Sequence, residues 1–181
     1  MTTRDKIGQL IMVGFLGTSV TRDLASFIKE YKPGGVILFS RNLESVEQMV
    51  DLTNDLQACS PHSPLLISID QEGGRVSRLP KGFTIFPPCD LLGRCNSTEL
   101  AYAAAATIAK ELRAVGVNMN MAPVLDVNSN PDNPVIGDRA FGTTPDVVCE
   151  LGLATAAGLQ DNKVVPCGKH FPGHGDTNAD S

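Results

Sequence analysis

The sequence contains little of what nucleic-acid-binding, membrane-spanning and disulfide-rich proteins need. It has no tryptophan, only 5% aromatic residues among its 181, and a net charge of −5, which gives no basic surface for a polyanion or an anionic membrane. The apolar run near the N-terminus is too short to span a bilayer. The five cysteines are odd in number and contain no CxxC pair, which favours reduced thiols in a cytoplasmic protein. We therefore expect no nucleic-acid partner, no membrane partner and no thiolate zinc site.

Along the sequence, the spacing of the apolar residues alternates in a regular way between a pattern typical of strands and one typical of helices. With 42% hydrophobic residues and a mean hydropathy near zero, the chain can bury a core. Short apolar runs bounded by glycine or proline predict strands at 9–15, 35–39, 64–70, 117–123 and 163–170. Helices are predicted between them at 21–31, 44–59, 97–115 and 145–161. The alternation indicates βαβ units and an α/β fold, with the N-terminal stretch 1–15 interpreted as the first strand.

The positions of the polar residues favour a barrel over a doubly wound sheet. Polar sequences follow the third, fourth and fifth predicted strands, and in (β/α)8 barrels the carboxyl ends of the strands carry the chemistry. A dinucleotide-binding sheet would need GxGxxG after the first strand, where the sequence has GFLGTS. A (β/α)8 barrel has eight strands and only five are predicted, so we expect residues 1–181 to be the N-terminal portion of one barrel domain.

The first candidate site follows the third strand, in IDQEGGR. Asp70 and Glu72 stand at the strand end, and the two glycines after them allow a tight turn that brings Arg75 and Arg78 back toward the same rim. A carboxylate in this position can hold sugar hydroxyls. The alternative is a charged surface turn, and the strand-end position favours a functional role.

The second candidate site is the stretch 122–142, which is rich in Asn, Asp and Pro and whose apolar residues show no regular spacing. Long loops in compact domains are often functional. Arg139 is a candidate to bind a carboxylate or carbonyl, and Asp126 to organise its neighbours. Asp132 and Asp138 are interpreted as solvated loop charges.

The third candidate site is KHFPGHGDTNADS, at 169–181. Lys169 and His170 finish a strand and are predicted to be fixed donors to a ligand. His174, flanked by glycines, is predicted to lie on a mobile loop that closes over the ligand. Asp180 is a candidate to orient a neighbouring imidazole.

A metal site formed by His170, His174 and Asp176 is the alternative for this stretch. Imidazole and carboxylate suit zinc, but the glycines around His174 argue against rigid presentation. We therefore expect no metal ion at this stretch. His62, in SPHSP, is interpreted as an ordinary loop residue.

Taken together, these motifs resemble the family 3 glycoside hydrolases, and within them the bacterial β-N-acetylhexosaminidases of cell-wall recycling. The resemblance rests on GGVILFSRN, IDQEGGRVSRL, MAPVLDVN, VIGDRAFG and GKHFPGHGDTNADS, which extend over essentially the whole chain. It implies a (β/α)8 catalytic barrel without a cofactor that removes terminal N-acetylglucosamine from peptidoglycan-derived muropeptides with retention. By residue matching, the substrate-binding positions of the family correspond to Asp70, Arg78, Arg139, Lys169 and His170.

The resemblance also implies where the catalytic residues lie. In this subgroup the last motif continues with a histidine, which is expected directly after Ser181 and acts as acid/base. It is oriented by the aspartate that corresponds to Asp180, and the nucleophile is an aspartate on a later strand end. Retaining hydrolysis needs both groups, so we expect the 181 residues to belong to a longer enzyme. The alternative is a non-catalytic sugar-binding module, or a half-barrel completed by another chain. The aglycone preference and the oligomeric state stay open.

Overall fold

The computed structural model describes residues 1–61 and 63–180. His62, which was predicted to be a loop residue, and Ser181, after which the acid/base histidine is expected, therefore lie outside the described residues. The described chain divides into two compact units. The first comprises Met1–Ile69, Arg78–Phe83 and Leu112–Met119. The second comprises Asp70–Ser77, Thr84–Glu111 and the chain from Asn120 onward.

Helices and strands alternate along most of the chain. The strands are β1 (Met12–Val13), β2 (Gly35–Leu38), β3 (Leu66–Ile69), β4 (Met119–Asn120) and β5 (Val165–Pro166). The α-helices are α1 (Thr3–Gly8), α2 (Arg22–Tyr31), α3 (Val46–Ala58), α4 (Cys89–Cys95), α5 (Thr98–Ala114) and α6 (Pro145–Asp161). Short 3-10 helices cover Ser40–Asn42 and Gly137–Arg139.

The first unit is built on parallel strands with helices packed against them. β1 pairs with β2 in the register Met12 to Gly35, and β2 pairs with β3 in the register Val36 to Ile67. Because parallel strands are covered on both faces, they are almost wholly apolar. The core of this unit contains Ile28, Val36, Leu38, Met49, Leu52, Leu56, Ile67 and Ile69, none more than 2% exposed.

The second unit contains the end of β4, all of β5 and a separate apolar core. The backbone N–H of Cys167 donates to the carbonyl of Asn120 at 3.0 Å. The core cluster consists of Cys89, Ala101, Phe141, Val148 and Leu151. Within each unit the strands follow chain order, as successive βαβ units require.

The predicted elements are present, and most are shorter than predicted. The α/β class is confirmed, the five strands fall within their predicted spans, and the helices predicted at 44–59 and 145–161 are present as α3 and α6. Ser45 caps α3 by accepting a hydrogen bond from the N–H of Gln48 at 3.1 Å, and Pro145 is the first residue of α6.

Two local predictions were wrong or incomplete. The stretch 1–15 is not one strand: residues Thr3–Gly8 form α1, because Thr2 and Asp5 make a reciprocal capping box, and only Met12–Val13 are extended. Helix α4 was not predicted. In the described part of the chain, no helix is long and apolar enough to cross a membrane.

Candidate active site

A cluster of charged side chains lies in the second unit, where the chain leaves β3 and β5. The Nζ atom of Lys169 is 2.7 Å from Oδ1 of Asp70 and 2.5 Å from Oε1 of Glu72. Arg139, from the 3-10 helix Gly137–Arg139, has Nη2 within 3.3 Å of Nε2 of His170. The structure therefore brings together Asp70, Arg139, Lys169 and His170, four of the five residues that the resemblance assigned to substrate binding.

Glu72 is at the centre of this cluster, with a side chain only 2% exposed. Arg139 donates to it through two bonds of 2.9 Å, from Nε to Oε2 and from Nη2 to Oε1. Such a paired contact fixes the plane of the guanidinium as well as its position. Its hydrogen bond to Glu72 raises the pKa of Arg139 above the usual value, so the side chain stays charged.

Asp126 fixes the histidines of the neighbouring loop. Its side chain is fully buried and lies 2.5 Å from Nδ1 of His170 through Oδ2, while Oδ1 accepts from the backbone N–H of His174 at 2.7 Å. A carboxylate accepts and a guanidinium can only donate, so this network assigns His170 the tautomer with its proton on Nδ1. Nε2 is then an acceptor facing Arg139, whereas His170 was expected to be a donor to ligand.

The glycines after Glu72 are required by close backbone contacts. Gly73 and Gly74 have φ angles of 103° and 55°, and a Cβ on Gly73 would lie 2.4 Å from the carbonyl oxygen of Pro87. Only glycine fits this turn without strain. The turn leaves the buried Glu72 beside Lys169 and Arg139.

Arg75 does not join the cluster at the strand ends. Its Nε donates to Oδ1 of Asp138 at 2.8 Å, and its Nη2 donates to the carbonyls of Val135 and Ile136. Asp138 is therefore paired with Arg75, while its side chain stays 42% exposed to solvent. Asp132 is exposed, as expected.

The loop that carries His174 is packed against the segment 126–133. Nδ1 of His174 lies 2.7 Å from Oγ1 of Thr177, and a Cβ on Gly175 would lie 1.7 Å from the carbonyl oxygen of Val127. The glycine after His174 thus permits close packing, which differs from the loose backbone expected there. Closure of the loop over a ligand stays a prediction.

Asp180 is exposed at the end of this loop. The residue after it, Ser181, lies outside the described residues, and so does the position expected for the acid/base histidine. The orienting role of Asp180 therefore stays a prediction.

Two other predictions about the site are not tested by the geometry. Arg78 belongs to the first unit, and its substrate-binding role stays a prediction.

Among the described residues, no group of three or more His, Cys, Asp and Glu side chains is arranged to hold a metal ion. Asp176, considered as a ligand, instead accepts a hydrogen bond from Ser129 at 3.2 Å. The expectation of a metal-free, cofactor-free site stays a prediction as well.

Sequence reasoning missed the importance of Glu72 and understated that of Asp126. Glu72 was noted beside Asp70, but it was not among the residues assigned a role. The available signal was the two-residue spacing, since side chains at i and i+2 of an extended strand point to the same face. For Asp126 the signal was its position directly after an apolar run.

The cluster combines three carboxylates with two permanent cations, so its net charge is negative. Such a site disfavours phosphorylated or other polyanionic ligands and suits a neutral molecule with many hydroxyl and amide groups. A parallel α/β chain with polar side chains at the carboxyl ends of its strands has the arrangement typical of the (β/α)8 barrel class.

The comparisons with known proteins identify the family. The sequence description of the glycosyl hydrolase family 3 N-terminal domain matches residues 2–181, and the chain belongs to that family. The chain is also similar to the β-hexosaminidase of Nitrosomonas eutropha, at 44% identity over 178 residues, which cover 94% of this chain and 50% of that protein.

Two solved structures have the same fold over nearly the whole chain. The family 3 β-N-acetylglucosaminidase of Paenibacillus sp. matches with a TM-score of 0.96 and 49% identity, covering 100% of this chain and 35% of that one. NagZ from Neisseria gonorrhoeae, in complex with N-trifluoroacetyl-D-glucosamine, matches with a TM-score of 0.88 and 35% identity, covering 94% and 52%. The fold is therefore that of the (β/α)8 barrel family. The chain spans 35% to 52% of the length of these relatives.

Proposed function

We propose that this chain forms the sugar-binding part of a retaining β-N-acetylhexosaminidase, which removes terminal β-N-acetylglucosamine from peptidoglycan-derived muropeptides. The observation that carries the proposal is the buried cluster of Asp70, Glu72, Arg139 and Lys169 at the strand ends. The names of the relatives support the reaction class, and the negative charge of the cluster supports a neutral sugar as ligand.

In this proposal Asp70 and Lys169 bind the hydroxyls of the terminal sugar. Oδ1 of Asp70 accepts from Lys169, so Oδ2 is the oxygen suited to a sugar hydroxyl. The ammonium group of Lys169, which carries three N–H donors, pairs with Asp70 and Glu72, and it is suited to donate to a sugar hydroxyl as well. Arg139, held in plane by Glu72, is suited to donate to a carbonyl such as that of an acetamido group.

The catalytic groups of the proposed reaction are an acid/base histidine oriented by Asp180 and an aspartate nucleophile, both outside these residues. Retention requires two successive displacements, in which the nucleophile forms a glycosyl-enzyme and the acid/base first protonates the leaving oxygen and then activates water. The described residues hold and orient the sugar for this chemistry. Binding alone lowers the concentration needed for saturation without accelerating the chemical step.

The compartment and the partners are further parts of the proposal. The odd, scattered cysteines support a cytoplasmic protein, where thiols stay reduced. A cytoplasmic location fits a role in recycling wall fragments. The partner is then a small amino-sugar compound, with no nucleic acid and no membrane involved.

The test is the hydrolysis of aryl β-N-acetylglucosaminides by the protein at its natural length, with leaving groups of graded pKa. Changing Asp180 to Ala should lower turnover by about 10²-fold or more for the poorest leaving groups, because a general acid supplies about that factor. Changing Asp70 to Ala should chiefly raise KM, because a hydroxyl-binding carboxylate acts in ground and transition states alike.

The exposed Asp132 offers a matched control, and Asp132→Ala should leave both constants unchanged. If Asp180→Ala hydrolysed the poorest leaving groups at the parent rate, the assignment of the histidine and Asp180 would be wrong. Binding of N-acetylglucosamine without any turnover would instead support the alternative of a sugar-binding module.

A further inference from the structure

Asn133 is a buried side chain whose amide joins the two segments of the candidate site. It is 6% exposed, and Oδ1 accepts from the backbone N–H groups of Val135 and Ile136, each at 2.8 Å. Nδ2 donates to the carbonyl of His174 at 2.7 Å and lies 3.4 Å from Oγ1 of Thr177. A buried amide that is fully hydrogen-bonded fixes the groups around it, because breaking any one bond leaves a polar atom unsatisfied.

The acceptor side of this amide supports Arg139. The peptides of Val135 and Ile136 are oriented by Oδ1, and their carbonyls in turn accept from Arg139, through Nη1 to Val135 and through the backbone N–H to Ile136. Arg75 binds the same two carbonyls from the other side. The position of the Arg139 guanidinium over Glu72 therefore depends on this turn.

The donor side of the amide supports the loop that leads to Asp180. His174 is the residue whose carbonyl Asn133 binds, and Thr177 links its hydroxyl to Nδ1 of the same histidine. Asn130 adds two bonds to this part of the loop, from its backbone N–H to Gly175 and from Nδ2 to the carbonyl of Thr177, both at 3.2 Å. Residues 174–177 are thus anchored on 130–133, three residues before Asp180.

We propose that Asn133 is a positioning residue, which holds the Arg139 turn and the base of the loop bearing Asp180 in one fixed geometry. The sugar site and the loop residues are then set relative to each other by one side chain. The kinetic part of this inference rests on the proposed hexosaminidase function, because the loop matters for turnover only if it carries the acid/base pair.

The two sides of the amide can be separated by substitution in the protein at its natural length. Asn133→Asp keeps an oxygen that accepts from Val135 and Ile136, but it replaces the donor with an oxygen facing the carbonyl of His174. Asn133→Ala removes both sides. Asp132→Asn, at the exposed neighbouring position, is the matched control.

Hydrogen–deuterium exchange tests the anchoring without any assay of activity. Asn133→Asp should speed exchange at residues 174–177 and leave 135–139 protected, whereas Asn133→Ala should speed exchange in both segments. Equal protection of 174–177 in the wild type and in both variants would overturn the inference. Because this measurement does not use turnover, its failure is distinct from a failure of the proposed function.

Kinetics test the consequence for catalysis. With Asn133→Asp, kcat/KM should fall about tenfold or more for a glycoside with a poor leaving group, since small displacements of a catalytic group cost this much. It should change little for a dinitrophenyl glycoside, which needs no protonation, and the inhibition constant of free N-acetylglucosamine should be unaltered. Asn133→Ala should also weaken that inhibition.

If kcat/KM of the Asn133→Asp protein fell equally with every leaving group, Asn133 would have a general structural role, and the inference would be contradicted. If Asn133→Asp does not fold, Thr177→Val removes the hydroxyl that bonds His174 and should give the same dependence on the leaving group. A Thr177→Val protein with wild-type kinetics on the poorest leaving group would then overturn the kinetic claim.

Discussion

Glu72 contacts both cations of the site. It is buried, and it forms ion pairs with Arg139 and Lys169. Changing Glu72 to Gln leaves these two cations facing an uncharged amide, and breaking a buried ion pair from one side costs about 3–5 kcal/mol. We expect a clear fall in melting temperature and a rise in KM.

Glu150→Gln is the control for this variant, because Glu150 is an exposed carboxylate of the same unit. Thermal unfolding and initial-rate kinetics check both effects. A Glu72→Gln protein as stable as Glu150→Gln would show that the cluster is held together by other contacts.

The residues of the site were predictable where chemistry and strand ends coincide. Asp70, Arg139, Lys169 and His170 are polar groups that follow apolar runs or lie in the long irregular stretch 122–142. The role of Glu72 depends on the glycine turn packed against Pro87, after which its carboxylate lies beside Arg139 and Lys169. The acceptor role of His170 depends on Asp126 and Arg139, which are distant in sequence.

At the scale of elements, sequence patterns identified long helices and buried strands and missed short helices. Helix α1 has only six residues and begins at a capping box, a local signal that the apolar run after it obscured. Helix α4 has seven residues with Gly93 inside it, and glycine is unfavourable in a helix. Short helices are stabilised mainly by packing, which a sequence pattern does not contain.

The close packing of α4 against Phe141 explains why this helix contains a glycine at position 93. A Cβ on Gly93 would lie 1.6 Å from the carbonyl oxygen of Phe141, whereas a Cβ on Gly152 of α6 would meet only the end of the Leu125 side chain, at 2.5 Å. Alanine is better in helices by about 1 kcal/mol, so Gly152→Ala should be neutral or slightly stabilising. Gly93→Ala should be destabilising, because the added methyl group would force the backbone of α4 and that of Phe141 apart.

Chemical denaturation of the two alanine variants measures this difference. A Gly93→Ala protein more stable than the wild type would mean that the contact between α4 and Phe141 is not as close as the structure has it.

The pKa of the Cys89 thiol, in the first turn of α4, is raised to about 12, chiefly by burial and also by Glu72, so this thiol is protonated at neutral pH.

At the scale of the whole molecule, the alternation of strands and helices was enough to predict the α/β class. The choice of a barrel rested on where polar residues follow the strands, and the family match agrees with it. The count of five predicted strands against the eight of a barrel predicted that the chain is the N-terminal portion of a barrel domain. The chain covers 35% to 52% of the length of the relatives that it matches.

The central claim is that the strand-end cluster binds a terminal N-acetylglucosamine for hydrolysis with retention. The most direct measurement follows the anomeric proton by NMR while the protein at its natural length, in excess chelator, hydrolyses an aryl β-N-acetylglucosaminide. We predict that the β-anomer of N-acetylglucosamine appears first, that chelator has no effect, and that Asp70→Ala forms the same anomer only at higher substrate concentration. Initial release of the α-anomer, or activity that is lost on metal removal, would contradict it.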